Sequence, residues 1–230
     1  MLRDFGLNVT TDNTSVSIHG PAKLFGSEVV VPGDISSAAF FIAAALMVPD
    51  SEVTIENICL NPTRTGLLDV LQRMGANLSI REYETKSSEP IGKIRVTTSQ
   101  LSGVEISPDM IPKLIDEIPM LAVLATQAQG KTILSGAREL RVKESDRLKS
   151  IVTNLAAMGI EIEELEDGFI IEGPQQLTGA SVDSFGDHRI AMAFSIAGLI
   201  SAGTTHIRDV DCVRISMPNF YETLAKILIS

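Results

Sequence analysis

The sequence predicts an α/β protein built as an inside-out bundle, with apolar helices at its centre and sheets and amphipathic helices around them. Three observations carry this prediction. A unit recurs three times, each copy opening at an acidic corner that leads into a helix-length apolar stretch. Gly33-Asp34 leads into residues 36–47, Asp116 into 118–125, and Asp187-His188-Arg189 into 190–200. Those stretches are apolar nearly all round, and a helix without a polar face has to be buried on every side. Hydrophobic residues make up 44% of the 230, aromatics only 4%, and Trp is absent, so the core is expected to be aliphatic and rich in Ala.

The remaining elements follow in order. After each apolar helix comes a short β-like run: Val53-Thr54-Ile55, Lys131-Thr132-Ile133-Leu134 and Thr204-Thr205-His206-Ile207. A second helix then shows a single apolar stripe. Leu67, Leu68, Val70, Leu71 and Met74 share a face in 63–75, and Leu148, Ile151, Val152, Leu155 and Met158 share one in 145–158. Both patterns stop at a glycine, Gly75 or Gly159, where a left-handed C-terminal cap fits. Strands are expected at 77–80 and 91–97 in the first unit and at 161–163 and 169–172 in the second, with polar turns such as Glu166-Asp167-Gly168 before them. Each unit reads as β-α-β-α-β-β. Buried helices with sheets outside invert the usual layering.

Residues 1–27 hold turn signals but no buried helix, and Leu2 to Val9 repeats the outer-helix ending. The chain is therefore expected to open inside a preceding unit, with a linker near residues 26–32 and a domain over 28–230. Phe220 to Ile227 would be the outer helix of a third unit.

Composition narrows the function. A net charge of −10 argues against nucleic acid or an anionic membrane as partner, while leaving room for a local cationic pocket. No run reaches the ~18 apolar residues of a membrane span, and no signal peptide is expected. Cys59 and Cys212 sit in apolar, strand-like contexts without metal spacing. They read as buried, reduced thiols of a cytoplasmic protein. There is no Gly-rich phosphate loop, no metal-ligand spacing and no nucleophile elbow, so neither metal nor cofactor is expected.

The candidate chemistry lies at the corners. Arg141-Val142-Lys143-Glu144-Ser145-Asp146-Arg147 crowds charges at an outer-helix start. If that helix begins near Lys143, Lys143 and Arg147 fall on one face and can hold an anion over the helix N-terminus. A solvated, salt-bridged helix start fits the same run. Arg189 suits a bidentate grip on carboxylate or phosphate, and His188 suits proton transfer near neutral pH. Asp34, Asp116 and Asp187 read individually as N-caps. Arg64, in Asn61-Pro62-Thr63-Arg64-Thr65-Gly66, offers another anion contact or simply a Pro-Thr helix start. Three corners bearing anion-gripping or acid–base residues suggest one site for a small polyanion.

At these residues the chain resembles the 5-enolpyruvylshikimate-3-phosphate synthase family. The matching motifs are Gly33 to Ala38, Asn61 to Gly66, Ile115 to Pro119, Arg141 to Arg147 and Asp187 to Met192, and the resemblance spans essentially all 230 residues. The wording of Asn61 to Gly66 and of Arg141 to Arg147 is closest to the glyphosate-tolerant bacterial subgroup. The resemblance implies an enolpyruvyl transferase fold and transfer of an enolpyruvyl group from phosphoenolpyruvate to the 5-hydroxyl of shikimate 3-phosphate, by addition and elimination. It implies roles for Asp116 at the attacking hydroxyl, Glu144 at the methylene proton, and His188 in electrostatics or proton relay. Lys143 would contact shikimate 3-phosphate and the leaving phosphate, and Arg147 and Arg189 would grip phosphoenolpyruvate. Where the family often carries a C-terminal Lys, Ile215 stands here with Arg214 beside it. The family's N-terminal half has no counterpart in this sequence, so the chain is expected to need that half as a partner and to be inactive alone. A UDP-N-acetylglucosamine enolpyruvyl transferase relative and a non-catalytic anion-binding half are the alternatives.

Overall fold

The computed structural model of the chain describes residues 1–12, 14–83 and 89–228. Three helices, α1 (Ile35–Met47), α3 (Ile118–Gln127) and α5 (His188–Ile200), pack against one another at the centre. The apolar pattern has its expected consequence: residues 120–125 and most of 190–197 are almost wholly sealed from solvent. Small residues such as Ala38, Ala39, Ala122, Ala193 and Ala197 line these helices among the core residues. Burying each large aliphatic side chain contributes about 1.5–3 kcal/mol, so this centre holds the fold together.

Sheets flank the centre. β3 (Glu52–Cys59), β4 (Leu78–Glu82) and β5 (Ile91–Thr97) form an antiparallel sheet in the order β3-β5-β4. β6 (Glu105–Ile106), β7 (Gly130–Leu134), β8 (Ile162–Leu165) and β9 (Gly168–Gly173) form a second sheet ordered β6-β7-β9-β8, with β6 parallel to β7. β10 (Ser181–Asp183) and β11 (His206–Arg208) form a parallel pair. The same plan underlies all three. A short strand leads into the inner helix and pairs in parallel with the strand that leaves it; in the first unit this strand shrinks to a bridge between Gly33 and Ile58. The structure thus has the inside-out α/β arrangement of repeated units.

The outer helices α2 (Gly66–Arg73), α4 (Arg147–Ala157) and α6 (Phe220–Ile227) are amphipathic. Gly75 and Gly159 adopt φ +82° and +83°. At each, two backbone bonds close the helix end: Gly75 to Gln72 and Ala76 to Leu71 in the first unit, Gly159 to Ala156 and Ile160 to Leu155 in the second. Gly6, at φ +87°, repeats this pair of bonds with Arg3 and Leu7 with Leu2. β1 (Val9–Asp12) pairs antiparallel with β2 (Ser15–Ile18), which the turn signals alone did not disclose.

Three local expectations are corrected. Cys212 lies in a 3-10 helix (Val210–Ile215), not a strand, and both cysteines are only partly buried. Asp116 is not an N-cap, because Glu117 takes that place at the start of α3. The outer helix of the second unit begins at Arg147 with Asp146 as its cap, not near Lys143.

Candidate active site

The Asp146 cap decides the geometry of the second unit's corner. Its carboxylate accepts from the Lys149 N–H at 3.0 Å and pairs with Arg141 at 3.1 Å. Arg141 also pairs with Glu164 and donates to the Leu165 and Glu166 carbonyls, so it braces the loop from behind. A 3-10 helix, Arg138–Val142, precedes this loop. Lys143 follows it with an extended backbone, and its ammonium pairs with Glu139. Lys143 and Arg147 therefore do not share a helix face, and no anion lodges between them by helical spacing.

Arg147 instead turns inward. It is 1% exposed and is held by three carboxylates from two units. Its Nε donates to Asp187 Oδ2 at 2.7 Å, Nη2 to Glu144 Oε2 at 2.6 Å, and Nη1 to Asp116 Oδ1 at 3.2 Å. Burial pulls the guanidinium pKa down, but the Asp187, Glu144 and Asp116 carboxylates outweigh it, and the net direction is up. Freed from capping, Asp116 bridges two cations, reaching Arg189 Nη2 with Oδ2 at 3.3 Å. Asp187 caps α5 by accepting from the Arg189 N–H at 2.9 Å, and also accepts from Ser145 Oγ at 3.3 Å.

Of the six residues singled out from the sequence, five gather here. Asp116, Glu144, Arg147 and Arg189 form one ion-paired chain, and His188 is the residue between Asp187 and Arg189. His188 is buried, and its Nδ1 has no hydrogen-bond partner among the described residues. Burial lowers its pKa from the ordinary 6.5, with Arg189 adding to the effect. Lys143 lies beside Glu144 in sequence but is engaged with Glu139.

Sequence reasoning missed Asp187 as the buried acceptor of Arg147, Glu139 as the partner of Lys143, and Glu117. The first had a readable signal in part. Ser145-Asp146-Arg147 before an apolar-periodic run is an N-cap signature, and placing the helix start at Arg147 turns that side chain away from Lys143. In the first unit, Arg64 donates to Ser36 Oγ at 2.8 Å and lies 3.6 Å from Asp34. Among the described residues no group of three His, Cys, Asp or Glu side chains is arranged to hold a metal ion, and no helix is long and apolar enough to cross a membrane.

The arrangement is a set of arginines and carboxylates at the N-terminal ends of the inner helices α3 and α5 and of the outer helix α4. Such ends present free N–H groups and a favourable dipole to an anion. Fold and site together define an inside-out α/β protein of repeated units with an ion-paired cluster of arginines and carboxylates at its helix ends. The sequence profile of the family described as EPSP synthase (3-phosphoshikimate 1-carboxyvinyltransferase) matches residues 1–224, and the chain belongs to that family. A 3-phosphoshikimate 1-carboxyvinyltransferase from Carboxydothermus hydrogenoformans is 51% identical over 227 residues, covering 99% of this chain and 53% of the relative. One from Bacillus cytotoxicus is 49% identical over 227 residues, covering 99% of this chain and 54% of the relative. The solved EPSP synthase from Acinetobacter baumannii superposes with a TM-score of 0.94 at 41% identity, covering 98% of this chain and 53% of that one. The enolpyruvyl transferase NikO from Streptomyces tendae shares the fold, with a TM-score of 0.73 at 20% identity, over 98% of this chain and 51% of that one. The chain spans about half the length of the curated relatives it matches.

Proposed function

We propose that this chain supplies one wall of an enolpyruvyl transferase site, and that with a complementary half it moves the enolpyruvyl group of phosphoenolpyruvate to the 5-hydroxyl of shikimate 3-phosphate, in the cytoplasm. The observation that carries the reading is the Arg147 cluster, in which acids and arginines from two units meet at the N-terminal ends of α3, α4 and α5 in a chain of this family.

In this reading Arg147 and Arg189 grip the carboxylate and phosphate of phosphoenolpyruvate, exchanging their present carboxylate partners for the ligand's. Asp116 accepts the proton of the attacking hydroxyl as its oxygen bonds to the central carbon. Glu144 delivers a proton to the methylene carbon to give a tetrahedral intermediate, then removes one from the resulting methyl group as phosphate leaves. Both carboxylates change protonation within one turnover, which needs matched environments. The cations supply positioning and charge stabilisation. Lys143 leaves Glu139 to meet shikimate 3-phosphate and the departing phosphate. His188, its pKa lowered first by burial and then by Arg189, takes part in electrostatics or proton relay.

Residues 1–27 are read as the tail of a preceding domain with its linker, and 28–230 as the domain that carries this wall. Co-production of the chain with a complementary N-terminal half, followed by measurement of phosphate release, tests the reading. Turnover is expected from the pair and little from the chain alone. Robust turnover by the chain alone, or none from the pair, would sink it.

A further inference from the structure

Beside its apolar stripe, α4 carries a second row of buried residues, and this row is polar. Arg147, Ser150 and Asn154 fall at i, i+3 and i+7 on one face of the helix. They are 1%, 3% and 2% exposed. Polar side chains so deeply buried are kept where their hydrogen bonds are met. Arg147 bonds the carboxylates already described, and Ser150 donates to the Asp146 carbonyl at 2.9 Å. Asn154 reaches across to the third unit. Its Nδ2 donates to the Asp183 carbonyl at 2.8 Å, and its Oδ1 accepts from the Asp183 N–H at 3.0 Å. One side-chain amide thus clasps both backbone groups of the last residue of β10. The fold does not demand this clasp. Counted back from the helix-closing glycines Gly75 and Gly159, Ser150 corresponds to Gly66 in α2 and Asn154 to Val70. Both are buried, and neither offers a polar side-chain atom.

Asp183 opens the turn that delivers Asp187, His188 and Arg189 to the site. Its Oδ1 accepts from the Phe185 N–H at 2.7 Å, and the Asp187 N–H donates to the Ser184 carbonyl at 3.0 Å. Phe185 and Gly186 both take positive φ, 54° and 72°. A bulky residue in that conformation is strained and persists only where its surroundings fix it. Both ends of the turn are fixed to α4: Asp187 by Arg147 at 2.7 Å, and Asp183 by Asn154. The two anchors lie two helical turns apart, about 10 Å.

We propose that Asn154 is a positioning residue: by clasping Asp183 it holds the start of α5 in register with the start of α4, and so sets the spacing of Arg189 and Arg147 when an anion binds. The proposal rests on these two arginines as an anion grip, the role given to them above. Without ligand, Asp116 bridges them at 3.2 and 3.3 Å. An anion gripped by both displaces that bridge. The Asn154 clasp is uncharged and buried, and its partners are backbone groups, so an anion does not compete for it. It keeps the two units in register after the ion-paired bridge has gone.

Two measurements test this. The first needs no turnover: the imidazole resonances of the chain and of Asn154→Leu are followed against pH. Leu keeps the size of the side chain and leaves both Asp183 groups unbonded. His188 sits between Asp187 and Arg189, held below 6.5 by burial and then by Arg189, with Asp187 and Glu144 opposing. Loosening the turn should move its titration toward 6.5, while exposed His19 stays put. An unchanged His188 titration would overturn the proposal. The second is turnover of the pair of halves with Asn154→Leu, Asn154→Asp and Val70→Ala. Asn154→Leu should raise the KM for phosphoenolpyruvate about tenfold and hold that for shikimate 3-phosphate within about twofold. Val70→Ala loosens packing at the matching place in α2 and should move neither. Asn154→Asp guards against a Leu variant that does not fold. Its carboxyl accepts from the Asp183 N–H and, once protonated, also donates to the carbonyl. Its KM for phosphoenolpyruvate should therefore return toward the parent's as pH falls. Equal rises for both substrates, or the same rise in Val70→Ala, would overturn the proposal. If the unmutated pair shows no turnover, the enolpyruvyl transfer reading fails, and the His188 titration decides by itself whether Asn154 holds this corner.

Discussion

The first and third units open their inner helices on the same residue in nearly the same backbone conformation. Asp34 has φ −77° and ψ 123°, and Asp187 has φ −97° and ψ 115°. Both side chains accept from backbone N–H groups of the first turn. Their surroundings differ. The Asp34 side chain is 52% exposed and faces Arg64, itself half exposed, at 3.6 Å. The Asp187 side chain is 0% exposed and bonds Arg147 at 2.7 Å. Repetition therefore fixes where an acid is placed, whereas burial fixes what it can do. In water an ion pair of this kind contributes little. Out of water the same pair becomes a strong, rigid element that must stay satisfied.

The sharpest way to break this comparison is to remove each arginine. Arg147→Met leaves Asp187 buried without its cation and Asp116 and Glu144 without their shared partner. It should cost about 3–5 kcal/mol of folding stability, the usual consequence of halving a buried pair. Arg64→Met removes an exposed contact and should cost at most about 1 kcal/mol. Denaturant unfolding of both variants measures the difference. Similar costs would mean that the Asp187 corner is far wetter than its exposure indicates.

The central helices were legible because nothing polar interrupts residues 38–46, 120–125 or 190–194, and a pattern that one-sided has only one use. The outer helix ends were legible at Gly75 and Gly159 because the left-handed turn is a local requirement. The site was legible only as a set of residues. Asp116, Glu144, Arg147, His188 and Arg189 do gather, but which carboxylate holds which arginine depends on burial and on contacts between residues some 30 to 40 positions apart. The single-turn error in starting α4 at Lys143 shows how such a dependence acts. Moving the start to Arg147 turns that side chain inward and leaves Lys143 on the loop. The strands β6 and β10 have two and three residues, too short for any periodicity to announce them.

A smaller effect separates the two corners at the next position. Ile35 follows Asp34, whereas His188 follows Asp187. His188 is held below its ordinary 6.5, first by burial and then by Arg189. An imidazole depressed in the folded state binds its proton more readily when unfolded. Stability from this source is complete above about pH 6.5 and is lost as pH falls from there toward the folded value. His188→Phe should remove that acid-side decline, while Ile35→Val should leave its slope unchanged. Melting temperatures between about pH 7 and about pH 5 test this, and an identical acid decline in the Phe variant would place its origin elsewhere.

The smallest effect concerns the outer helices, where the first two units are most alike. Gly75 and Gly159 end their helices with the same pair of bonds and the same positive φ, so an Ala at either meets the same backbone strain, about 1 kcal/mol. Their surroundings differ slightly. A Cβ at Gly75 would have no neighbour nearer than the Gln100 carbonyl at 4.0 Å, whereas at Gly159 it would stand 3.2 Å from Thr178 Oγ1. Thr178 is not free to swing aside, because its hydroxyl donates to the Met158 carbonyl at 2.9 Å. Gly159→Ala should therefore cost a few tenths of a kcal/mol more than Gly75→Ala. Thr178→Ser keeps that hydroxyl and its bond and should not narrow the gap, whereas Thr178→Ala removes the crowded atom and should. If the gap persists in the Thr178→Ala background, the difference between the two helix ends lies in their backbones and not in the side chain packed against one of them.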